Sequence, residues 1–354
     1  MIRCPEPSCR AALSQDMFVK IANEEQREKF SNFLVKSFVE SKKTLKWCPA
    51  NGCEYAIEID IIGANSYDVS CLCSHNFCWN CVEEAHRPMG CDIIAKWNEK
   101  IADPETRTML RIMSCSKPCP NCNRPIEKNT GCMHMTCRPP CNYEFCWICL
   151  QKWSGHQNYF NCNRYSEVSV SRERSKESSK KYFHCCDRWE AHGLSRQKAV
   201  KNLEKLKSEE IMKLCYNQQL IPSEVDFVGE AWRQIIECRQ ILKWTYAYRY
   251  FLSEKERGKV ELFEFLQGEA ESGLERLHSC TERGVGELLI GDGPSLELFD
   301  EFRKKLIGLT GVTRNYFENL VKALQNGLSD VESKPASVSV PRMKFEPKKA
   351  RKRF

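Results

Sequence analysis

The sequence lacks the long apolar runs that cross membranes. Its 354 residues contain no run of about 18 or more apolar residues, and the opening segment MIRCPEPSCR has no apolar core of a secretory signal. We therefore expect no membrane association and a reducing compartment, the cytoplasm and/or the nucleus. Disulfides do not persist there, so abundant cysteines at tight spacing indicate metal ligands or nucleophiles rather than disulfide bridges.

The sequence also lacks an excess of positive charge outside its last residues. It has 54 Lys and Arg against 47 Asp and Glu, and residues 334–354 hold eight of the basic groups against Glu346 alone. The rest of the chain then carries 46 basic and 46 acidic groups. This balance argues against nucleic acid as a partner, because a phosphate backbone calls for a basic surface. Residues 332–354 are predicted to form a disordered basic tail, either a nuclear localisation patch or a solubilising end.

Cysteine is abundant, and its positions form an internal repeat. Of 23 cysteines, 18 precede residue 163. Residues 48–91 and 119–162 share the spacing C-x4-C-x2-C, and the words NFCWNC and EFCWIC match. Thiolates two residues apart approach one Zn²⁺ from a tight turn, and closed four-ligand sites are structural. Each module is so short that zinc binding is expected to be part of its folding.

The repeat predicts four zinc ions per chain, two in each module. The first module's sites are predicted as Cys48, Cys53, Cys71, Cys73 and Cys78, Cys81, His86, Cys91. The second module's sites follow by alignment as Cys119, Cys122, Cys137, Cys141 and Cys146, Cys149, His156, Cys162.

Cys132 has no counterpart in the first module and is the candidate nucleophile. It follows Gly131 on a predicted loop, which suits an exposed thiol, and His134 is placed to take a proton from an attacking amine. Glu144 is the candidate acid that orients this histidine. Alternatives remain open: Cys132 as a zinc ligand with Cys137 or Cys141 spare, His134 as a ligand or a surface residue, and Glu144 as a solvated loop acid.

The remaining segments have helical patterns. Residues 11–47 lack Gly and Pro and predict a helical connector. Residues 172–331 carry apolar positions at i, i+3 and i+4 spacing, including Val225, Val228 and Trp232, which predict a helical bundle. The predicted fold is therefore multidomain: two small zinc-stabilised modules with short strands and little other regular structure, followed by an all-α domain.

These motifs resemble the Ariadne subfamily of RBR (RING, in-between-RING, RING) ubiquitin ligases, and most of all its plant members. KWCPANGCEYAIE to GCDIIAKW is similar to the in-between-RING module, and CPNCNRPIEKNTGCMHMTC with EFCWICL to the catalytic second RING. ECRQILKWTYAYRYFL and LQGEAESGLERLH are similar to the Ariadne helical domain. The resemblance implies a first-RING remnant at 1–10, the connector at 11–47, the in-between-RING module at 48–91, a linker at 92–118, the second RING at 119–162, the Ariadne domain at 172–331 and the tail at 332–354.

The resemblance implies that Cys132 accepts ubiquitin as a thioester from a conjugating enzyme and passes it to a substrate lysine, with His134 as general base and Glu144 supporting it. Implied partners are ubiquitin, the conjugating enzyme, protein substrates and a neddylated cullin-RING ligase that releases the Ariadne domain from the second RING. Glu271 is the candidate for the restraining contact. Only Cys4 and Cys9 match ligands of a first RING, so we expect that module to be truncated. The alternative function is an impaired zinc scaffold or regulatory isoform that binds ubiquitin or cullin partners.

Overall fold

The structure is a computed structural model that describes part of the chain. Described are residues 6, 8–9, 11, 14–60, 68–73, 75–102, 104, 108, 115–128, 131–154, 156, 162, 174–290 and 296–329. Cys4 and the predicted tail at 332–354 lie outside these residues. The chain divides into two compact units, Met1–Arg87 and Pro88–Phe354.

The described residues of the first unit form two helices and two hairpins. Helix α1 (Gln15–Ile21) begins after Ser14, whose side chain accepts from Met17 N–H, and α2 (Glu24–Ser41) begins with a capping box between Asn23 and Gln26. Both helices lie in the predicted connector. Strand β1 (Leu45–Trp47) pairs antiparallel with β2 (Ala56–Glu58), and β3 (Asp68–Ser70) pairs antiparallel with β4 (Asn76–Cys78).

The second unit begins with a helix and two further hairpins. Helix α3 (Cys91–Ile101) lies largely in the segment predicted as a linker. It buries Ile94 and Trp97 in a cluster that includes Cys185, Trp244 and Tyr246, so it is packed on the helical domain that follows. Strand β5 (Ser116–Pro118) pairs antiparallel with β6 (Pro125–Glu127), and β7 (His134–Thr136) pairs antiparallel with β8 (Glu144–Cys146).

Helices make up most of the remaining described residues of the second unit. They are α4 (Arg174–Lys205), continued by a π-helical turn (Leu206–Glu210), α5 (Ile211–Gln218), α6 (Asp226–Phe251), α7 (Arg257–Ile290) and α8 (Leu296–Gln325). The main apolar core of this domain buries the predicted positions Val225, Val228 and Trp232. Helix α6 packs against α4, α7 and α8, which makes it the central helix of the described bundle.

The predicted fold class is confirmed: cysteine-rich modules with short strands precede an all-α domain. Among the described residues, no helix combines the length and apolarity needed to cross a membrane.

Candidate metal centres and active site

The structure gathers sixteen cysteine and histidine ligand atoms into four groups, and within each group all of these atoms lie within 4.8 Å of one another. Tetrahedral zinc with Zn–S bonds of about 2.3 Å places its sulfur ligands about 3.8 Å apart. The measured Sγ–Sγ distances match this spacing: Cys48–Cys73 3.6 Å, Cys53–Cys71 3.7 Å, Cys119–Cys141 3.8 Å, Cys122–Cys137 3.6 Å and Cys146–Cys162 3.7 Å. The residues present therefore fit zinc.

Each group has the membership that the alignment of the repeat assigns: Cys48, Cys53, Cys71, Cys73; Cys78, Cys81, His86, Cys91; Cys119, Cys122, Cys137, Cys141; and Cys146, Cys149, His156, Cys162. In both histidine-containing groups, the imidazole Nε2 lies 3.2 Å from a cysteine sulfur, that of Cys81 or Cys149. Cys9 belongs to none of the four groups.

The two modules hold their ligands with the same backbone hydrogen bonds. In the first module, the N–H of Cys78 donates to Glu83 O over 2.8 Å, and in the second, the N–H of Cys146 donates to Gln151 O over 2.9 Å. The residues that close these turns, Val82 and Leu150, both have positive φ, 64° and 62°. The sequence repeat is therefore also a repeat of turn geometry.

Cys132 lies outside the four groups and is buried. Its Sγ donates to Glu275 Oε2 on α7 over 2.9 Å, and the same oxygen accepts from Met133 N–H over 2.8 Å. The backbone N–H of His134 donates to Cys132 Sγ over 3.3 Å. The expectation of an exposed thiol is wrong for this conformation, because 5% of the residue is accessible and α7 covers it.

His134 and Glu144 lie on the same face of the β7–β8 hairpin, diagonally across the strand pair: His134 is opposite Cys146 and Glu144 is opposite Thr136. His134 Nε2 is 3.3 Å from Glu144 Oε2, within ion-pair distance but outside hydrogen-bond angles. Partial burial lowers the pKa of His134 more than Glu144 raises it. The imidazole is therefore neutral near pH 7 and able to accept a proton. The indole of Trp153 stacks on it with ring centroids 4.2 Å apart.

A buried charged cluster on α6 and α7 faces the Cys132 segment. Glu275 forms an ion pair with Arg239 over 2.7 Å, and both side chains are almost fully buried. Burial alone would raise the pKa of Glu275, but the Arg239 charge and the hydrogen bonds from Cys132 and Met133 outweigh it and lower the pKa to about 2. Glu275 is therefore a carboxylate at neutral pH.

The ionised carboxylate acts in turn on the thiol. Burial, together with the negative charge of Glu275, raises the pKa of Cys132 well above its usual range. In this conformation the sulfur is accordingly a protonated thiol that donates to Glu275, and its nucleophilicity is suppressed.

Gly131 lets α7 approach this closely. A Cβ at this position would lie 2.5 Å from Cε1 of the buried His278, which is too close for any side chain. The Gly131 N–H also donates to Glu282 Oε1 over 3.4 Å. The glycine thus permits the contact between the Cys132 segment and the helix.

Comparison with known proteins places this arrangement in a family. Residues 28–91 match the model "IBR domain, a half RING-finger domain", and residues 112–157 match a second IBR domain model. The chain is 51% identical to the probable E3 ubiquitin-protein ligase ARI7 of Arabidopsis thaliana over 96% of its own length and 62% of that protein. It is 31% identical to the probable E3 ubiquitin-protein ligase rbrA of Dictyostelium discoideum, over 93% of its length and 64% of that protein.

The chain thus carries IBR domains and is similar over nearly its whole length to Ariadne-type RBR proteins. It spans about 62% of the length of the Arabidopsis relatives ARI7 and ARI8. Zinc is the metal that its four ligand groups hold.

Two residues of this RBR site were missed by sequence reasoning. Glu275, and not the predicted Glu271, contacts Cys132, while Glu271 accepts from Tyr246 OH and lies 2.8 Å from His192 Nε2 within the helical domain. The available signal was a stripe of polar residues at helical spacings of four, three and four: Glu271, Glu275, His278 and Glu282. Trp153 carried no signal beyond its place between two ligands.

Proposed function

We propose that this chain is a ubiquitin transferase that carries ubiquitin on Cys132 as a thioester. The observation that carries the proposal is a thiol outside all four metal groups that accepts from the backbone N–H of His134, with the His134 imidazole paired with the Glu144 carboxylate. This set is typical of an activated nucleophile with a general base. The names of the relatives, E3 ubiquitin-protein ligases, support the same reaction class.

The reaction proceeds in two exchanges. Cys132 Sγ attacks the thioester that joins ubiquitin to a conjugating enzyme. A new thioester forms between ubiquitin and Cys132, the bond to the conjugating enzyme's sulfur breaks, and that sulfur departs as a thiol with the proton that Cys132 gives up. A substrate lysine amine then attacks the new thioester, the carbon–sulfur bond breaks, and Cys132 leaves as a thiolate. His134 accepts the proton that the amine loses, and Glu144 stabilises the resulting imidazolium.

The conformation described here is the restrained state of this transferase. Ubiquitin reaches Cys132 only after α7 withdraws, because the sulfur is buried and bonded to Glu275. The withdrawal replaces the Cys132–Glu275 hydrogen bond with solvent and lowers the thiol pKa toward its usual value. A neddylated cullin-RING ligase is the proposed releasing partner, and the cytoplasm and/or the nucleus the proposed location.

Trapping experiments with a Cys132→Ser variant test the nucleophile. Incubated with a ubiquitin-charged conjugating enzyme, wild type is expected to form an adduct that thiols cleave. Cys132→Ser is expected to form an oxyester that resists thiols and neutral hydroxylamine but is cleaved by alkali. Cys115→Ser, which changes a half-buried cysteine outside the metal groups, is the matched control and should behave as wild type. Adducts that persist in Cys132→Ala would refute the assignment.

A further inference from the structure

Trp153 lies between the candidate base and a zinc ligand. Its ring is 4.2 Å from that of His134 at 10° and 5.4 Å from that of His156 at 11°, so the three rings are nearly parallel. The backbone N–H of Trp153 donates to Glu144 O over 3.0 Å, and its backbone carbonyl accepts from the backbone N–H of His156 over 2.9 Å. The main chain of Trp153 is therefore hydrogen-bonded on both sides, while its indole covers one face of His134.

The first module shows that the zinc fold does not require this indole. There the N–H of Ala85 donates to Asn76 O over 3.2 Å, which is the counterpart of the bond from Trp153 to Glu144. Both residues follow an equivalent bridge, Phe77 to Glu84 in one module and Phe145 to Lys152 in the other. Alanine thus occupies the same backbone position in a module that gathers the same kinds of ligands.

The second module, which has the imidazole of His134, also has the indole of Trp153, whereas the first module has neither at the equivalent positions. In the strand registers, Asp68 opposite Cys78 corresponds to His134 opposite Cys146, and Asn76 corresponds to Glu144. Asp68 accepts hydrogen bonds from the backbone N–H groups of His86 and Arg87, which is a structural role. The second module differs at all three neighbouring positions, with His134, Glu144 and Trp153 in place of aspartate, asparagine and alanine.

We propose that Trp153 is a positioning residue that holds the His134 imidazole beside Glu144 for the transfer of ubiquitin to an amine. This inference rests on the proposed transferase function. The flat stack restricts rotation of the imidazole about its Cβ–Cγ bond, so the ring keeps one edge toward Glu144. When the amine attacks the thioester and the carbon–sulfur bond breaks, the amine proton passes to an imidazole that is already oriented.

Separate measurements of loading and discharge test this role. Trp153→Ala introduces the residue that the first module already has at this position, and Trp153→Phe retains a flat ring. We expect Trp153→Ala to load ubiquitin on Cys132 within about twofold of wild type but to discharge it to free lysine about tenfold more slowly, a fraction of what a general base contributes. Trp153→Phe should recover most of the discharge rate, and discharge to hydroxylamine, which attacks thioesters without a base, should change little.

Two comparisons distinguish positioning from a merely structural role. In a His134→Ala background, Trp153→Ala should slow discharge no further, because the residue it acts through is gone. Tyr143→Ala, which removes another half-buried aromatic ring of the module, should leave the ratio of discharge to loading unchanged. Equal discharge to lysine by wild type and Trp153→Ala, or loss of zinc from Trp153→Ala, would overturn the inference.

A readout without ubiquitin keeps this inference separate from the proposed function. Nuclear magnetic resonance of the labelled His134 ring should show upfield-shifted protons in wild type, caused by the indole, and shifts averaged between ring orientations in Trp153→Ala. Unchanged His134 shifts would refute the positioning role even if wild type transfers ubiquitin. Failure of wild type to load, with the expected shifts present, would instead count against the transferase function.

Discussion

The two cysteine-rich modules hold zinc with the same turns, yet among the described residues only the second has a cysteine outside its metal groups, Cys132, together with the His134–Glu144 pair. Position for position, the β3–β4 hairpin carries Asp68 and Asn76 where the β7–β8 hairpin carries His134 and Glu144. The Asp68 carboxylate accepts from the backbone of its own module, whereas the backbone N–H of His134 donates to the Cys132 sulfur. A zinc-held hairpin is thus a scaffold that accepts different side chains at its paired positions without a change in the turns that hold the ligands.

The shared property, zinc-dependent folding, gives the largest expected effect. Removing zinc with a chelator should unfold both modules, because each site contributes on the order of 10 kcal/mol to folding. The helical domain should keep its helicity, since its core is apolar and has no ligand group among the described residues. Metal analysis should find four zinc ions per chain, and circular dichroism should follow the helices. A module that stays folded without metal would contradict the prediction that both modules need zinc to fold.

Paired substitutions at the equivalent strand positions give the next largest effect. His134→Ala should slow transfer to lysine by about 100- to 10,000-fold, the range of general-base catalysis, with little change in stability. Asp68→Ala should leave the transfer rate unchanged and lower the free energy of unfolding by about 1–3 kcal/mol, because it removes hydrogen bonds to a carboxylate. Single-turnover discharge measures the transfer rate, and denaturant unfolding measures the free energy of unfolding. Similar transfer defects in both variants would show that the positions do not have separate roles.

The smallest expected effect concerns the restraint on Cys132, its hydrogen bond to Glu275. The rate at which Cys132 is alkylated measures this restraint. Glu275→Gln removes the negative charge that helps raise the thiol pKa, so the thiolate fraction at pH 8 should rise. Each unit of lowered pKa raises this fraction, and the rate with iodoacetamide, about tenfold while the thiol remains mostly protonated. Because the wild-type pKa lies above its usual range, the wild-type rate should keep rising with pH beyond pH 9.

Glu287→Gln, which changes an exposed acid on the same helix, is the control and should react like wild type. A thermal unfolding curve for Glu275→Gln must accompany the alkylation, because Arg239 loses its buried partner. Equal alkylation rates in wild type and a folded Glu275→Gln would contradict the restraint.

The zinc ligands and the helical domain could be predicted from the sequence because both depend on short spacings along the chain. Ligands such as Cys78 and Cys81 are separated by two residues on one turn, so this spacing brings both sulfurs within reach of one zinc ion. The apolar stripe that contains Val228 and Trp232 likewise follows from the helix repeat. In both cases, the information needed lies within a few residues.

The environment of Cys132, in contrast, depends on contacts between distant segments. Cys132 meets Glu275 across 143 residues, and no spacing rule selects Glu275 over Glu271 one turn earlier. Which of these carboxylates reaches the thiol depends on how α7 packs against α6 and on the missing side chain at Gly131. The sequence therefore specified the zinc ligands and the position of Cys132 in the chain, whereas contacts in three dimensions buried its thiol against Glu275 and stacked Trp153 on His134. Contacts between distant segments set desolvation and charge, and these set the pKa values.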